Sequence, residues 1–279
     1  MDELLNYQKY MNEAADINSQ YSQAEEFPHI VIDNFLNEGV LDEALKKFPA
    51  IDNDGWIHYQ HYNENKGGLN KRDYIPDELL KIIDELNSEK FVSLLREITG
   101  IKNLFPDTSL EGGGIHQIRK GGFLNIHADF TTHPHNKLWK RRVNVLLYLN
   151  KDWKDEYGGQ LELWTKDMKK CFKKILPLFN RCVIFNTDLD SFHGHPHPLT
   201  CPDDRTRKSI ALYYFTEEKT PPVKVATNYQ HTPDDSLTKR LFIWLDKKAL
   251  VVYNHLKGFL GINDDFVSKL MNFIRKLRK

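Results

Sequence analysis

Neither sign of charge prevails in this 279-residue chain, where 39 Lys and Arg stand against 39 Asp and Glu. That balance excludes a chain drawn as a whole to nucleic acid or to anionic membrane, so any electrostatic argument has to be local. Cysteine is scarce as well. Cys171, Cys182 and Cys201 are an odd number without Cys-x-x-Cys spacing, which argues against a disulfide framework and a thiolate zinc site and suits a reducing, cytoplasmic location. No apolar run is long enough to cross a bilayer, and MDELLNYQKY lacks the basic and apolar regions of a signal peptide, so no transmembrane segment is expected.

What remains is enough for a core: 40% of the residues are hydrophobic and 12% aromatic. Residues 1–26 are polar and read as a loose or helical N-terminal arm. FPHIVIDNFL (27–36) reads as a strand, LDEALKKF (41–48) as an amphipathic helix, and the Asn-, Gly-, Tyr- and His-rich stretch 51–73 as a long loop. Pro76 opens the helical PDELLKIIDEL, and EKFVSLLREITG follows, capped by Asn87 or Ser88 and stopped by Gly100. After Gly114 the character changes. IHQI, FLNIHADF, RVNVLLYLN, GGQLELW, RCVIFNT and SIALYYF are short, β-branched or aromatic, and separated by Gly, Asp, Asn and Pro. They predict an antiparallel sandwich or barrel of jelly-roll type, ending near Phe215. In RVNVLLYLN, Asn144, Leu146 and Tyr148 share one face and Val143, Val145, Leu147 and Leu149 the apolar other. Residues 237–279 read as helical, with Asp264 or Asp265 capping FVSKLMNFIRKLRK; its last eleven residues carry five basic side chains and no acidic one. An apolar face on this extension would pack on the domain, or offer a surface for dimerisation or surface docking.

His127 and Asp129, two apart on a predicted strand, leave the same face and can converge on one ion. A third ligand from a distant segment would complete a two-histidine, one-carboxylate triad with open positions, the kind of site that selects Fe(II). Downstream, SFHGHPHPL offers His193, His195 and His197, and RKSIALYYF follows with Arg207 and Ser209 on one face. An inward guanidinium needs an anion, and its fork suits a carboxylate. That anion is either an internal Asp or Glu or a cosubstrate dicarboxylate.

FLNIHADF, RVNVLLYLN with its KDW, GGQLELW, and SFHG leading to RKSIALYYF together resemble the Fe(II)- and 2-oxoglutarate-dependent oxygenases of the prolyl 4-hydroxylase-like group. The resemblance spans roughly residues 27–216. It implies an α+β protein: a double-stranded β-helix, that is, a jelly-roll, cupin-like core at about 112–216, with N-terminal helices packed on it. The oxygenase domain would run over 27–225 and a C-terminal helical extension over 226–279. The resemblance further implies Fe(II) on His127, Asp129 and His193, His193 being favoured by its register eight residues after Phe185. It implies 2-oxoglutarate held by Arg207, Tyr148 and Ser209, O2 as cosubstrate, ascorbate as a candidate reductant, and hydroxylation of an unactivated C–H bond with release of succinate. The tyrosine that relatives often carry before the His-x-Asp pair has no counterpart in IRKGGFL; Gln117 and Asn144 are the available substitutes.

His195 and His197 are then expected in an exit loop, and His133 and His135 in a solvated loop, TTHPHNKLWKRR, whose Arg141 and Arg142 could rim the site and attract an anionic substrate. The substrate, a peptide or a small molecule, has no readable code. Two other classes compete: a non-catalytic jelly-roll that binds a sugar or a partner, and a zinc-organised structural domain. The first leaves an inward Arg207 and Asp129 to be satisfied internally; the second lacks a closed four-ligand set.

Overall fold

The computed structural model describes the backbone of residues 3–260 and the side chains of residues 3–248. Two short helices, α1 (Tyr7–Asn12) and α2 (Ala14–Ser22), open it. The arm is helical rather than loose: Leu5, Tyr7, Tyr10, Ile17 and Tyr21 are buried in the main core. Strand β1 (His29–Ile32) is the short extended heart of FPHIVIDNFL. Helix α3 (Glu38–Lys46) starts earlier than its periodicity suggests, because the Asn37 side chain accepts from the Val40 amide and caps it. Helix α4 (Asp77–Leu86) follows Pro76. Helix α5 (Glu89–Thr99) is capped by the Ser88 hydroxyl and closed by Gly100 at φ +71°.

The stretch 51–73 is not a long loop. It holds a hairpin of β2 (Ile57–His61) and β3 (Glu64–Leu69). Its sequence is poor in β-branched residues and carries a Gly pair, so propensity argues against a strand; tertiary pairing overrides it. At Gly67 an added Cβ would lie 3.2 Å from the Gln117 carbonyl oxygen and closer still to Ile51, and that bareness lets the hairpin join the sheet.

The remaining strands are β4 (Phe105–Pro106), β5 (Gly114–Arg119), β6 (Phe123–Ala128), β7 (Trp139–Tyr148), β8 (Leu161–Trp164), β9 (Cys171–Ile175), β10 (Arg181–Asn186), β11 (His193–His195), β12 (Thr206–Glu217) and β13 (Asn228–Tyr229). They form one curled antiparallel sheet in the order β1-β10-β7-β12-β5-β3-β6-β11-β8-β9, with β13 added to β6. This is the expected jelly-roll architecture. Its two faces divide as the alternation predicts. Val143, Val145 and Leu147 of β7, with Leu149 just past its end, join Ile210, Leu212 and Tyr214 of β12 against the helices, while Tyr148, Val183, Phe185, Leu161 and Leu163 pack inside the roll. Each buried aliphatic side chain of the outer set contributes about 1.5–3 kcal/mol.

The chain after β12 is not detached from the roll. Helix α6 (Leu237–Leu260) lies against the β2–β3 hairpin, with Phe242 stacked on Tyr62 at 5.2 Å and Asp246 bound to His61 and Asn63. The basic stretch FVSKLMNFIRKLRK lies outside the described residues. Among the described residues, no helix is long and apolar enough to cross a membrane.

Candidate active site

Strands β6 and β11 pair so that His193 stands directly opposite His127. Their rings are 4.5 Å apart, centroid to centroid. Gly194 makes this pairing possible: a Cβ there would sit 2.8 Å from the carbonyl oxygens of Leu124 and Asn125. Asp129, just past the end of β6, reaches both rings. His127 Nε2 lies 3.6 Å from Asp129 Oδ1, and His193 Nε2 lies 3.5 Å from Asp129 Oδ2. Ligand atoms of all three residues fall within 4.8 Å of one another.

The tautomers follow from the second nitrogens. His127 Nδ1 is 2.9 Å from the Asn125 carbonyl and His193 Nδ1 2.9 Å from the Ser191 carbonyl. A carbonyl only accepts, so each Nδ1 carries the proton and each Nε2 lone pair is free to face an ion. Burial and the neighbouring His127 push the His193 imidazole down to about 4, which keeps it neutral and able to ligate. Burial works against ionisation of Asp129, but Arg141 and the two imidazoles outweigh it and hold the carboxyl well below the usual range. Two imidazoles and a carboxylate on one spot fit a divalent metal such as iron.

Arg141 is not on the rim. It is almost fully buried, with Nη2 at 3.1 Å from Asp129 Oδ2 and its guanidinium over the Tyr213 ring at 3.5 Å and the Phe130 ring at 4.6 Å. Strict alternation would put Arg142, not Arg141, on the face of Asn144. The ladder explains the reversal: Tyr214 pairs with Val143 and Phe215 with Arg141, so Arg142 is the extra residue of a β-bulge. Arg142 instead reaches the Thr216 hydroxyl at 3.4 Å. Asn144 is likewise engaged within the protein: its Oδ1 accepts from Arg141 and its Nδ2 donates to Asp129 Oδ2 at 2.8 Å. It positions the carboxylate and is not a free cosubstrate contact. Gln117 lies opposite Lys208 on the ladder, away from Arg207, with its amide on the Thr206 hydroxyl. The site-facing residue of that strand is its neighbour His116, opposite Ser209, a half-buried imidazole pushed down to about 3 by loss of hydration and by Lys66.

Arg207 is buried with Ser209 and Tyr148 on the inner face of the roll. Its Nε donates to the Gly159 carbonyl at 2.9 Å and its Nη2 to the Tyr148 hydroxyl at 3.2 Å. Gly159, at φ +73°, has no room for a side chain, since a Cβ would lie 3.0 Å from the Arg207 Cδ. Among the described residues, both of these partners are neutral and no carboxylate pairs with Arg207. The internal Asp or Glu alternative for this guanidinium therefore has no occupant there. A cation held this way on the inner face of the roll has the chemistry to receive the far carboxylate of a dicarboxylic acid.

The family model of the 2OG-Fe(II) oxygenase superfamily matches residues 113–215, the stretch that carries the triad and Arg207. The chain carries a 2OG-Fe(II) oxygenase domain. Relatives of this oxygenase domain include the prolyl 3-hydroxylase OGFOD1 of Mus musculus, 25% identical over 206 residues, with 70% of this chain and 34% of that protein aligned. The chain thus spans about a third of the length of that relative. The human prolyl hydroxylase EGLN3 is 23% identical over 214 residues, covering 75% of this chain and 87% of its own. Among solved structures, a Trichoplax adhaerens prolyl hydroxylase in complex with a hypoxia inducible factor peptide fragment superposes with TM-score 0.54 at 21% identity, over 75% of this chain and 91% of that one. That likeness supports the double-stranded β-helix fold of the oxygenase domain.

Two histidines stand elsewhere than expected. His195 is not in an exit loop; it ends β11, buried beside the site. His133 is not solvated: it is buried against Trp139 and Phe215, with Nε2 3.6 Å from Asp107 Oδ2. His135 alone of the TTHPH pair is exposed. Lys66 of β3, paired with Glu64 at 3.1 Å, and Tyr229 of β13, whose ring is 5.5 Å from His127, complete the surroundings and carry no sequence signal of their own. His195 did have one: the same two-residue spacing from His193 that joins His127 to Asp129.

Proposed function

We propose that this protein is a hydroxylase of an unactivated C–H bond in a peptide or small-molecule substrate, with a prolyl residue as the first substrate to test. Residues 27–225 would form the catalytic unit, with His127, Asp129 and His193 as its iron ligands and Arg207, Tyr148 and Ser209 as its 2-oxoglutarate site. The observation that carries the reading is a buried Arg207 with, among the described residues, only neutral protein partners, on the same inner face as a three-ligand cluster. When bound, Fe(II) and 2-oxoglutarate supply the oxidising chemistry with O2, yielding succinate and CO2.

The protein's own work is positional. Asn125 and Ser191 carbonyls fix the imidazole tautomers, and Asn144 and Arg141 hold Asp129 charged and aimed. Tyr148 and the Gly159 carbonyl hold the Arg207 fork, leaving donors of its planar group for a carboxylate. The named prolyl hydroxylases among its relatives support a prolyl substrate. The exposed Leu237, Leu241 and Trp244 of α6 support a role in self-association or docking, which a concentration-dependent molecular mass would reveal.

The test is conversion of 2-oxoglutarate to succinate with Fe(II) and O2, run against prolyl peptides and a metabolite panel, with product mass read for one added oxygen atom. Turnover that disappears in Asp129→Ala while the protein stays folded is the expected result. Wild-type protein that neither binds Fe(II) nor consumes 2-oxoglutarate with any substrate would leave the non-catalytic binding module as the better account.

A further inference from the structure

His195 is only 4% exposed, and neither of its ring nitrogens has a hydrogen-bond partner. An imidazole always carries at least one donor or acceptor that burial penalises when unmet. Such an orphan inside a packed roll needs an explanation, and its place in the sheet supplies one. The bulge between β11 and β6 lies on the β6 side: His193 pairs with His127 and His195 with Leu124, two steps on one strand against three on the other. His195 therefore keeps the face of His193. The groups whose charges act on it are, strongest first, Arg207, Lys66, His127 and Glu64. Both His127 and the cation of the dicarboxylate site are near enough for their charges to act on it. Residues at the alternative positions are already committed: Gln117 to Thr206 and Asn144 to Asp129 and Arg141.

We propose that His195 is a cosubstrate-binding residue, donating a ring N–H to the 2-oxoglutarate carboxylate held by Arg207. This rests on the 2-oxoglutarate reading of the site and deepens it: the contact for which the strand before His127 offers no tyrosine comes from the strand of the distal metal ligand. A dicarboxylate then satisfies two buried groups at once, the guanidinium and the imidazole. A keto acid without the far carboxylate satisfies neither.

The experiment is anaerobic calorimetry of 2-oxoglutarate binding to the full chain loaded with Mn(II), for wild type, Arg207→Ala, His195→Leu and His195→Gln, with Mn(II) affinity measured in parallel. His195→Leu should weaken 2-oxoglutarate at least tenfold with Mn(II) affinity unchanged, and His195→Gln, which keeps a donor, should recover most of the loss. The wild-type ring is read independently: the His195 ¹⁵N resonances in the protein held with diamagnetic Zn(II) should shift on adding 2-oxoglutarate and stay put with 2-oxobutanoate. This second measurement stands even where a variant does not fold. Wild-type affinity in His195→Leu, an equal loss in Leu and Gln variants, or unmoved ring resonances would overturn the assignment while Arg207→Ala still weakens binding. No 2-oxoglutarate binding by the Mn(II)-loaded wild type would instead overturn the cosubstrate reading itself.

Discussion

Arg141 shows how much a single residue's place changes its chemistry. As a rim residue it would tune substrate capture; as a nearly inaccessible cation 3.1 Å from Asp129 it belongs to the support of a metal ligand. Removing one member of a buried ion pair leaves the other charge poorly compensated, at a cost of about 3 kcal/mol or more. Arg141→Ala is therefore expected to lower the unfolding free energy of the metal-free protein by that order, read in chemical denaturation, and to weaken Fe(II) binding. Arg142→Ala, which loses one long hydrogen bond to Thr216, should leave both within error. Equal behaviour of the two variants in chemical denaturation would contradict the buried pairing.

At the scale of the elements, the site depends on one three-residue strand. His-Gly-His of β11 is wedged between β6 and β8, and its central glycine has backbone oxygens 2.8 Å from where a Cβ would go. Those atoms belong to the main chain of Leu124 and Asn125 and cannot rotate away. Gly194→Ala should push β11 from β6, separating His193 from His127, with a stability loss of about 1–3 kcal/mol from overpacking. Metal titration is the decisive readout: Fe(II) affinity should fall by more than the stability change alone explains. Retained affinity would mean that the strand can shift without moving its ligand. The bulge at Arg142 is the second such device, turning the Arg141 side chain to the interior where plain alternation would have sent it outward.

On the scale of the whole molecule, the C-terminal segment is fastened to the roll by a charged clasp. His61 lies 2.8 Å from both Glu64 and Asp246. Burial works against its protonation, but hydrogen bonds to Asp246 and Glu64 prevail and push its imidazole up to about 9. A pKa raised above the unfolded value of about 6.5 means that the clasp's contribution is complete below that pH and is lost as pH rises through about 9. The melting temperature of wild type should exceed that of Asp246→Asn at pH 6, and the gap should close by pH 10; at this chain length each kcal/mol is worth about 2–4 °C. A gap independent of pH would show that His61 is neutral in the folded protein.

The jelly-roll core, its helices, the His127 and Asp129 pair and inward Arg207 were legible because each rests on a local period: two-residue alternation for Val143 to Leu149, for His127 with Asp129 and for Arg207 with Ser209, helical spacing and caps for α4 and α5; His193 is singled out from three histidines only by the family resemblance. What escaped depends on contacts between distant segments. The β2–β3 hairpin is strand only because the sheet pairs with it, the bulge at Arg142 exists only in a ladder, and the burial of His133 needs Asp107 and Phe215 brought to it. His195 was a different kind of miss, since its spacing was visible and the prolines after it suggested a loop too early.

Strand β13 has a consequence for how the molecule keeps to itself. Along one side of β6, strand β3 pairs only with Phe123 and Leu124, and Asn228 and Tyr229 take over at Ala128 and His127. Without them, the backbone donors and acceptors around a metal ligand would form an open sheet edge, a template for any passing extended chain. A hundred residues later the chain returns to close that edge with its own backbone, so the strand that carries the reactive chemistry is also guarded against aggregation.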